Sequence, residues 1–203
     1  MVFWNQRMAA LTGESMYVDV LEKSLYNGAL DGLSLDGDRF FYGNPLASNG
    51  RHSRREWFGT ACCPANIARL IASLGNYIYA QSNDGIWINL FAGSNTSITM
   101  PKGNVDIKME TNYPWEGMVK INVGTVKKMK FNMHLRIPGY VNGIAAPGAL
   151  YHFADTASSK PIIKINGIAV SYTVDKGYAV INREWKKDDV VEMTIPMAIK
   201  KII

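Results

Sequence analysis

Two adjacent cysteines, Cys62 and Cys63, are the residues of this chain best suited to chemistry, and they are its only cysteines. Their Cα atoms lie about 3.8 Å apart, below the roughly 4.4–6.8 Å of a relaxed disulfide. The two sulfur atoms could instead share a metal ion, or one could attack a substrate while the other binds the metal. Pro64 follows the pair and is a favourable first residue of an α-helix, whose positive dipole end favours thiolates. Alternatively, both cysteines are small buried hydrophobic residues, and the sequence pattern does not choose between these interpretations.

The metal site that this pair could form is incomplete. Two thiolates provide half of the four ligands typical of a structural zinc site. The histidines His52, His134 and His152 do not fall at a zinc-site spacing from the cysteines. His52 precedes the pair in a loop and could approach it, whereas His134 is expected on a strand, at the surface or beside a neighbouring strand.

Other residues with possible functions have ordinary structural interpretations. Glu22 follows Leu21 on a predicted helix and would by default face solvent, and Tyr42 could be an aromatic residue of the core. The tryptophans are expected to fill the core or the ends of a sheet structure rather than form a sugar-binding platform; they include Trp87, Trp115 and Trp185.

The first third of the sequence is predicted to be helical. Apolar residues recur at helical spacing in three segments, from Trp4 to Gly13, from Ser15 to Gly28 or Gly32, and from Pro64 to Gly75. The last segment carries an apolar stripe of Ile67, Leu70, Ile71 and Leu74. No capping residue precedes the first segment, so we expect the chain to begin inside a helix of a larger protein. A short strand within residues 38–45 is expected before the third helix.

After about residue 77 the pattern changes to short strands. Apolar and polar residues alternate, as in Phe131, Met133 and Leu135, and the turn signals Asn83-Asp84-Gly85 and Asn166-Gly167 separate neighbouring runs. Many short strands with regular turns are typical of an antiparallel sandwich. The sequence therefore predicts a mainly β protein, with an N-terminal helical part over residues 1–76 and an antiparallel β-sandwich over residues 77–203.

Composition excludes several classes of protein. The chain has 203 residues, of which 47% are hydrophobic and 19% charged, so disorder and a disulfide scaffold are excluded. No apolar run reaches the roughly 18 residues of a membrane span, and the N-terminus has no signal-peptide pattern. The net charge is +5, but the basic residues are dispersed, which argues against nucleic acid as a partner. We expect a soluble protein, and nothing in the sequence chooses between cytoplasm and periplasm.

The segment around the cysteines resembles a known enzyme family. Its sequence, residues 57–70, is Trp-Phe-Gly-Thr-Ala-Cys-Cys-Pro-Ala-Asn-Ile-Ala-Arg-Leu. It is similar to the signature of glycoside hydrolase family 127, the β-L-arabinofuranosidase family. Further similarities lie at Leu25-Tyr26-Asn27-Gly28, at Phe40-Phe41-Tyr42-Gly43-Asn44-Pro45 and at Leu135-Arg136-Ile137-Pro138-Gly139, and the resemblance covers essentially the whole chain.

The resemblance implies a fold and an activity. Members have an (α/α)6 barrel followed by β-sandwich domains, and they hydrolyse terminal β-L-arabinofuranosides with retention, using a zinc-bound cysteine nucleophile. By the match of motifs, Cys62 would be the nucleophile and a zinc ligand, and Cys63 a second ligand. Glu22 and Tyr42 would contact the sugar. The expected partner is therefore an arabinose-containing or related carbohydrate.

The resemblance also implies a truncated enzyme. Residues 1–76 would be the last helices of the barrel, and the acid/base glutamate and two further zinc ligands would precede Met1. We therefore expect this chain alone to be inactive and to bind zinc weakly or not at all. Exposed barrel helices could drive self-association. The alternatives are a non-catalytic β-sandwich that binds carbohydrate as an accessory module, and a structural zinc protein without catalysis.

Overall fold

A computed structural model of the chain describes residues 1–43, 45–60, 62, 64–125, 127–146, 148, 150–155 and 159–203. The α-helices in these residues are α1 (Val2–Thr12), α2 (Ser15–Ser24), α3 (Ala65–Ser73) and α4 (Gly75–Ile78). Gly13 ends α1 in the left-handed conformation at φ 71°. A wide π-type turn, Leu25–Ala29, and a 3-10 turn, Leu30–Gly32, extend α2. None of the described helices has the length and hydrophobicity needed to cross a membrane.

The strands, which lie between Tyr79 and Thr194, form a two-sheet sandwich. The strands are β1 (Tyr79–Gln81), β2 (Gly85–Ile88), β3 (Ser94–Met100), β4 (Gly103–Thr111), β5 (Met118–Thr125), β6 (Met129–Arg136), β7 (Ile162–Ile165), β8 (Ile168–Ala169), β9 (Thr173–Asp175), β10 (Tyr178–Trp185) and β11 (Asp189–Thr194). The first sheet has the order β1-β2-β6-β10-β9, and the second has the order β3-β4-β5-β11-β7-β8. The predicted mainly β fold with an N-terminal helical part is confirmed.

Alternation along the strands builds the core between the sheets. On β6, Phe131, Met133 and Leu135 face inward, as predicted, and pack with Ile107 and Ile121 of the second sheet in one cluster. Burial of these aliphatic side chains contributes about 25 cal/mol per Å² of apolar area removed from water. The pairing of β2 with β6 is parallel, and it is the exception among the described strand pairs, which are otherwise antiparallel.

Two local predictions were wrong. The described residues within 38–45 do not form a strand, and Phe40 makes isolated bridges to Leu33 and Arg55. The apolar stripe on the third helix is partly covered by the described chain: Leu70 is buried, and Ile71 is 47% exposed. Trp185 lies in the core, whereas Trp115 is 84% exposed in the turn after β4, where no second layer covers it.

Helix α2 covers the outer face of the first sheet through a buried charge network. Arg136 is fully buried on β6, and its guanidinium donates hydrogen bonds to Asp19 at 2.6 Å and to Glu22 at 2.5 Å. Its Nε donates to the carbonyl of Asn89, and Tyr113 donates to the other oxygen of Glu22 at 3.3 Å. Burial disfavours the guanidinium charge, but the two carboxylates outweigh it and raise the Arg136 pKa above its ordinary value.

Two glycines allow the helices to approach the sandwich closely. A Cβ on Gly139 would lie 2.7 Å from the Asp19 carboxylate, which instead accepts a hydrogen bond from the Gly139 N–H. At Gly177, where φ is +80°, a Cβ would collide with the Ser15 hydroxyl. The neighbouring Lys176 carbonyl accepts a hydrogen bond from the Ser15 N–H, so the β9–β10 turn supports the first residue of α2. These contacts fix α2 at its first residue and at Asp19 in its middle.

Trp87 and His134 form a stacked pair on the same outer face of the first sheet. They are register partners on β2 and β6, and their rings lie 4.0 Å apart and nearly parallel. His134 is 8% exposed, and this burial lowers its pKa, against a weaker opposing influence of Asp175 and Asp84. His134 is therefore neutral in the folded chain near neutral pH.

Replacing Arg136 with Met is expected to destabilise the chain strongly, because Asp19 and Glu22 would then be left without their cation. The expected loss is about 3–5 kcal/mol in the free energy of unfolding, measured by urea denaturation. Lys108→Met is the matched control, because Lys108 pairs with Glu110 at the surface, and it should cost about 1 kcal/mol or less. Equal losses for the two variants would contradict the assignment of Arg136 as the main charged contact between helices and sandwich.

The His134 imidazole should make stability fall as the pH falls through about 6.5. The pKa of His134 is lower in the folded chain than in the unfolded chain. At a pH below the unfolded-state pKa, the unfolded chain therefore binds more protons, and this protonation stabilises the unfolded state relative to the folded state. The stability is fully present above that pKa and is lost as the pH approaches the lower folded value. His134→Gln should reduce this pH dependence in urea denaturation between pH 5 and pH 8, and His152→Gln should not. An unchanged slope in His134→Gln would refute the prediction.

Candidate active site

The exposed thiol of Cys62 lies in the turn that leads into α3. Helix α3 begins at Ala65, directly after Pro64, as the sequence predicts. The Cys62 Sγ lies 3.1 Å from the Tyr42 hydroxyl, within hydrogen-bonding distance. When Cys62 is a thiolate it carries no proton, so the phenol must then be the donor. The structure therefore brings together two of the residues that the sequence singles out.

Two loops place Tyr42 beside this turn. Phe40 exchanges two backbone hydrogen bonds of 3.0 Å with Arg55, which brings the loop before the cysteines back across residues 40–43. Arg54 ties the same loop to the end of the first helical region, where it donates hydrogen bonds to the carbonyls of Asp31 and Gly32. The backbone around the site is thus held by local hydrogen bonds rather than by a sheet.

Aromatic contacts hold the Tyr42 ring. Its centroid lies 5.4 Å from that of Phe58, and the Phe58 ring lies 5.3 Å from Phe40. Trp57 packs edge-on against Phe40, and 66% of its surface remains exposed. Tilted and edge-on pairs at these distances are favourable arrangements of aromatic rings. Phe58 is a positioning contact that the sequence pattern did not reveal, although it directly precedes the Gly-Thr-Ala-Cys-Cys segment.

His52 lies in the loop that returns across residues 40–43. Its ring stacks on Phe41 at 4.5 Å, and its Nε2 lies 2.8 Å from the Gly43 carbonyl oxygen. These contacts hold the loop in place. They explain the position of His52 without a role as a metal ligand.

Glu22 lies in a different environment from the one expected by default. It is 9% exposed, so the interpretation as a solvent-facing helix residue was wrong. The outer face of the first sheet is covered by α2, and both Glu22 carboxylate oxygens accept hydrogen bonds there, one from Arg136 and one from Tyr113. A direct sugar contact of Glu22 stays a prediction.

The donor set around Cys62 is chemically suited to zinc but is partial. Thiolate sulfur is a preferred zinc ligand, and the exposed Cys62 sulfur is accessible. The second predicted ligand, Cys63, lies outside the described residues. Within the described ranges, no group of three or more His, Cys, Asp or Glu side chains could hold a metal ion. Among the described residues, Cys62 thus provides a single sulfur donor of the kind that zinc prefers.

The chain combines a helical part with a β-sandwich and carries a thiol at the start of a helix. Family models identify the class of protein that has these features. The family model for the GH127 β-L-arabinofuranosidase catalytic domain matches residues 1–76, and the model for the GH127 middle domain matches residues 85–197. The chain belongs to glycoside hydrolase family 127, as the motifs indicate.

Individual relatives agree with this assignment. A non-reducing end β-L-arabinofuranosidase of Bifidobacterium longum subsp. longum is 36% identical, over 74% of this chain and 26% of the relative. The solved structure of a GH127 β-arabinofuranosidase matches with a TM-score of 0.92 and 43% identity, over 99% of this chain and 32% of that one. A GH127 β-L-arabinofuranosidase from Geobacillus stearothermophilus T6 matches with a TM-score of 0.80 and 38% identity, over 97% and 30%. The chain thus spans less than a third of the length of these relatives.

Tyr42→Phe is expected to slow the alkylation of Cys62 by iodoacetamide about two- to fivefold at neutral pH, because a phenol hydrogen bond that stabilises the thiolate is lost. The rate is measured by mass spectrometry in a Cys63→Ser background, so that one thiol is followed. Tyr151→Phe serves as the control, because Tyr151 is exposed and lies far along the sequence. Equal rates in the Tyr42 variant and the parent would mean that the 3.1 Å contact does not influence the thiol.

Proposed function

We propose that this chain supplies the nucleophile and part of the zinc site of a retaining glycoside hydrolase that cleaves terminal β-L-arabinofuranosides or related plant-derived sugars. One observation carries the proposal: in a member of family 127, the exposed Cys62 sulfur lies 3.1 Å from the Tyr42 hydroxyl. An exposed thiol paired with a hydrogen-bond donor has both the access and the charge stabilisation that nucleophilic attack requires.

The proposed reaction has two displacements, as retention requires. The Cys62 thiolate attacks the anomeric carbon, the bond from that carbon to the glycosidic oxygen breaks, and a general acid protonates the leaving oxygen. Water then attacks the same carbon, loses its proton to the conjugate base, and releases Cys62 as a thiolate. The resemblance assigns the acid/base role to a glutamate, and no residue within 1–203 is proposed for that role.

Tyr42 acts on the sulfur at both displacements. Its O–H donates to the thiolate of Cys62 before attack and can donate again as the sulfur departs from the sugar carbon. The contacts with Phe58 hold the phenol in place between these steps. The geometry therefore supports a charge-stabilising role for Tyr42 in addition to the sugar contact that the resemblance implies.

Cys62 and Cys63 are the residues of this chain that would hold zinc. A bound zinc ion supplies positive charge that stabilises thiolate sulfur, and this helps a thiolate to leave a sugar carbon. For Glu22, the contacts with Arg136 and Tyr113 support an indirect role, in which it keeps α2 in place on the sandwich.

The proposal is tested in a chimera in which residues 1–203 replace the homologous segment of the Bifidobacterium relative. With an aryl β-L-arabinofuranoside as substrate, NMR should show a product of retained configuration. Cys62→Ser should lower kcat/KM at least about 1,000-fold without loss of fold, because the nucleophile is removed. Tyr42→Phe should lower it about tenfold, the equivalent of one hydrogen bond, and Tyr151→Phe should leave it unchanged.

Hydrolysis at the parent rate by the folded Cys62→Ser chimera would contradict the proposal and would favour a structural role for the cysteines. A folded parent chimera that binds arabino-oligosaccharide but does not hydrolyse it would favour the accessory-module alternative. Circular dichroism and unfolding midpoints establish that each variant is folded before its activity is compared.

A further inference from the structure

A cavity of about 150 Å³ lies between the helices and the outer face of the first sheet. Helices α1, α2 and α4 form one side, and strands β1, β2 and β10 form the other. This space is partly open to solvent, and its volume is about that of an engineered cavity known to accept one six-membered ring. Cys62 and Tyr42 do not line this helix–sheet cavity, so it is distinct from the candidate active site.

Aromatic side chains form much of the sheet side of the cavity. Trp87 is half-buried, and His134 stacks on one face of its indole ring at 4.0 Å. Trp87 also lines the cavity together with Tyr79 and Tyr178. The Tyr79 hydroxyl is hydrogen-bonded to Ser94, and the Tyr178 hydroxyl donates to Asn89, so these rings are held in fixed positions. Fixed aromatic surfaces suit a ligand with an apolar face of C–H groups.

Side-chain amides supply the polar groups of the cavity. Asn89 has its oxygen held by the Tyr178 hydroxyl at 2.8 Å, and no other described residue accepts a hydrogen bond from its amide nitrogen. The side-chain amides of Gln6, which is half-buried, and of Asn76, which is exposed, also line the cavity. An amide both donates and accepts, which matches a hydroxyl group that does the same.

The lining carries no formal charge among the described residues. A phosphate or carboxylate ligand would enter this partly enclosed space without a cation to pair with it, at a large cost in desolvation. A cation would meet no carboxylate. The lining therefore selects a neutral ligand that combines apolar ring faces with several hydroxyl groups.

We propose that the helix–sheet cavity binds one ring of a neutral sugar, either as a free monosaccharide or as the terminal residue of an oligosaccharide. Stacking on Trp87 orients the ring, and the amides of Gln6, Asn76 and Asn89 bind its hydroxyl groups. The inference does not depend on the proposed function, because no residue of the candidate active site takes part.

The test is a titration of the intact chain followed by ¹H–¹⁵N NMR, with the Trp87 indole N–H and the Gln6 and Asn76 amides as reporters. L-arabinose and an arabino-oligosaccharide form two arms; binding of the oligosaccharide alone would assign the cavity to a chain end. Saturable shifts with a Kd of about 0.1–10 mM are expected in at least one arm. Arabinose 5-phosphate and adenosine, the charged and the heterocyclic controls, should produce no such shifts.

Two variants separate binding in the cavity from binding elsewhere. Ala10→Phe places a ring in the cavity and should raise Kd at least about tenfold, whereas Ala72→Phe, at an exposed site on α3, should not. Gln6→Leu gives a second, milder variant that should also weaken binding. Absence of Trp87 shifts with both sugars, binding of adenosine instead, or equal affinity in Ala10→Phe and the parent would overturn the proposal.

Discussion

The ion pairing of the buried Arg136 guanidinium with two carboxylates of α2 is the interaction on which the arrangement of helices and sandwich depends. A guanidinium removed from water is costly unless its partners are close and well oriented, and here Asp19 and Glu22 both approach from α2. The network fixes the rotation and position of α2 because both carboxylates must reach the same cation. Gly139 and Gly177 then permit the close approach that these ion pairs require.

The two candidate binding regions lie in different parts of this framework. The cavity lined by Trp87 and amide side chains adjoins the Arg136 network through Asn89, whose carbonyl accepts a hydrogen bond from Arg136. Cys62 and Tyr42, in contrast, lie on loops held by backbone hydrogen bonds and aromatic contacts. Loops placed on a rigid scaffold commonly carry reactive groups, because they tolerate exposure that a core cannot.

Much of the fold could be predicted from sequence because its information is local. Period-two alternation on β6 and the turn residues between strands define the sandwich without knowledge of the partner strands. Arg136 illustrates what could not be predicted: it occupies a strand position that alternates with core residues, and only the helical layer converts this outer position into a buried one. Glu22 was misassigned to solvent for the same reason. The parallel pairing of β2 with β6 depends on contacts distant in sequence, which local patterns do not encode.

The candidate site was predictable in part for a related reason. The Cys62-Cys63 motif and the helix start at Pro64 are contiguous, whereas the Tyr42 contact needs two loops to meet, and the resemblance rather than periodicity pointed to it. The proposed mechanism requires a covalent bond between Cys62 and the sugar. Acid quenching of the chimera during turnover, followed by peptide mass mapping, detects such a bond. A pentosyl group is expected on the peptide that contains Cys62, located at that sulfur by fragmentation. An adduct at another residue would contradict a bond to Cys62. Turnover without any adduct, in a chimera whose sugar adduct is stabilised against hydrolysis, would contradict it as well.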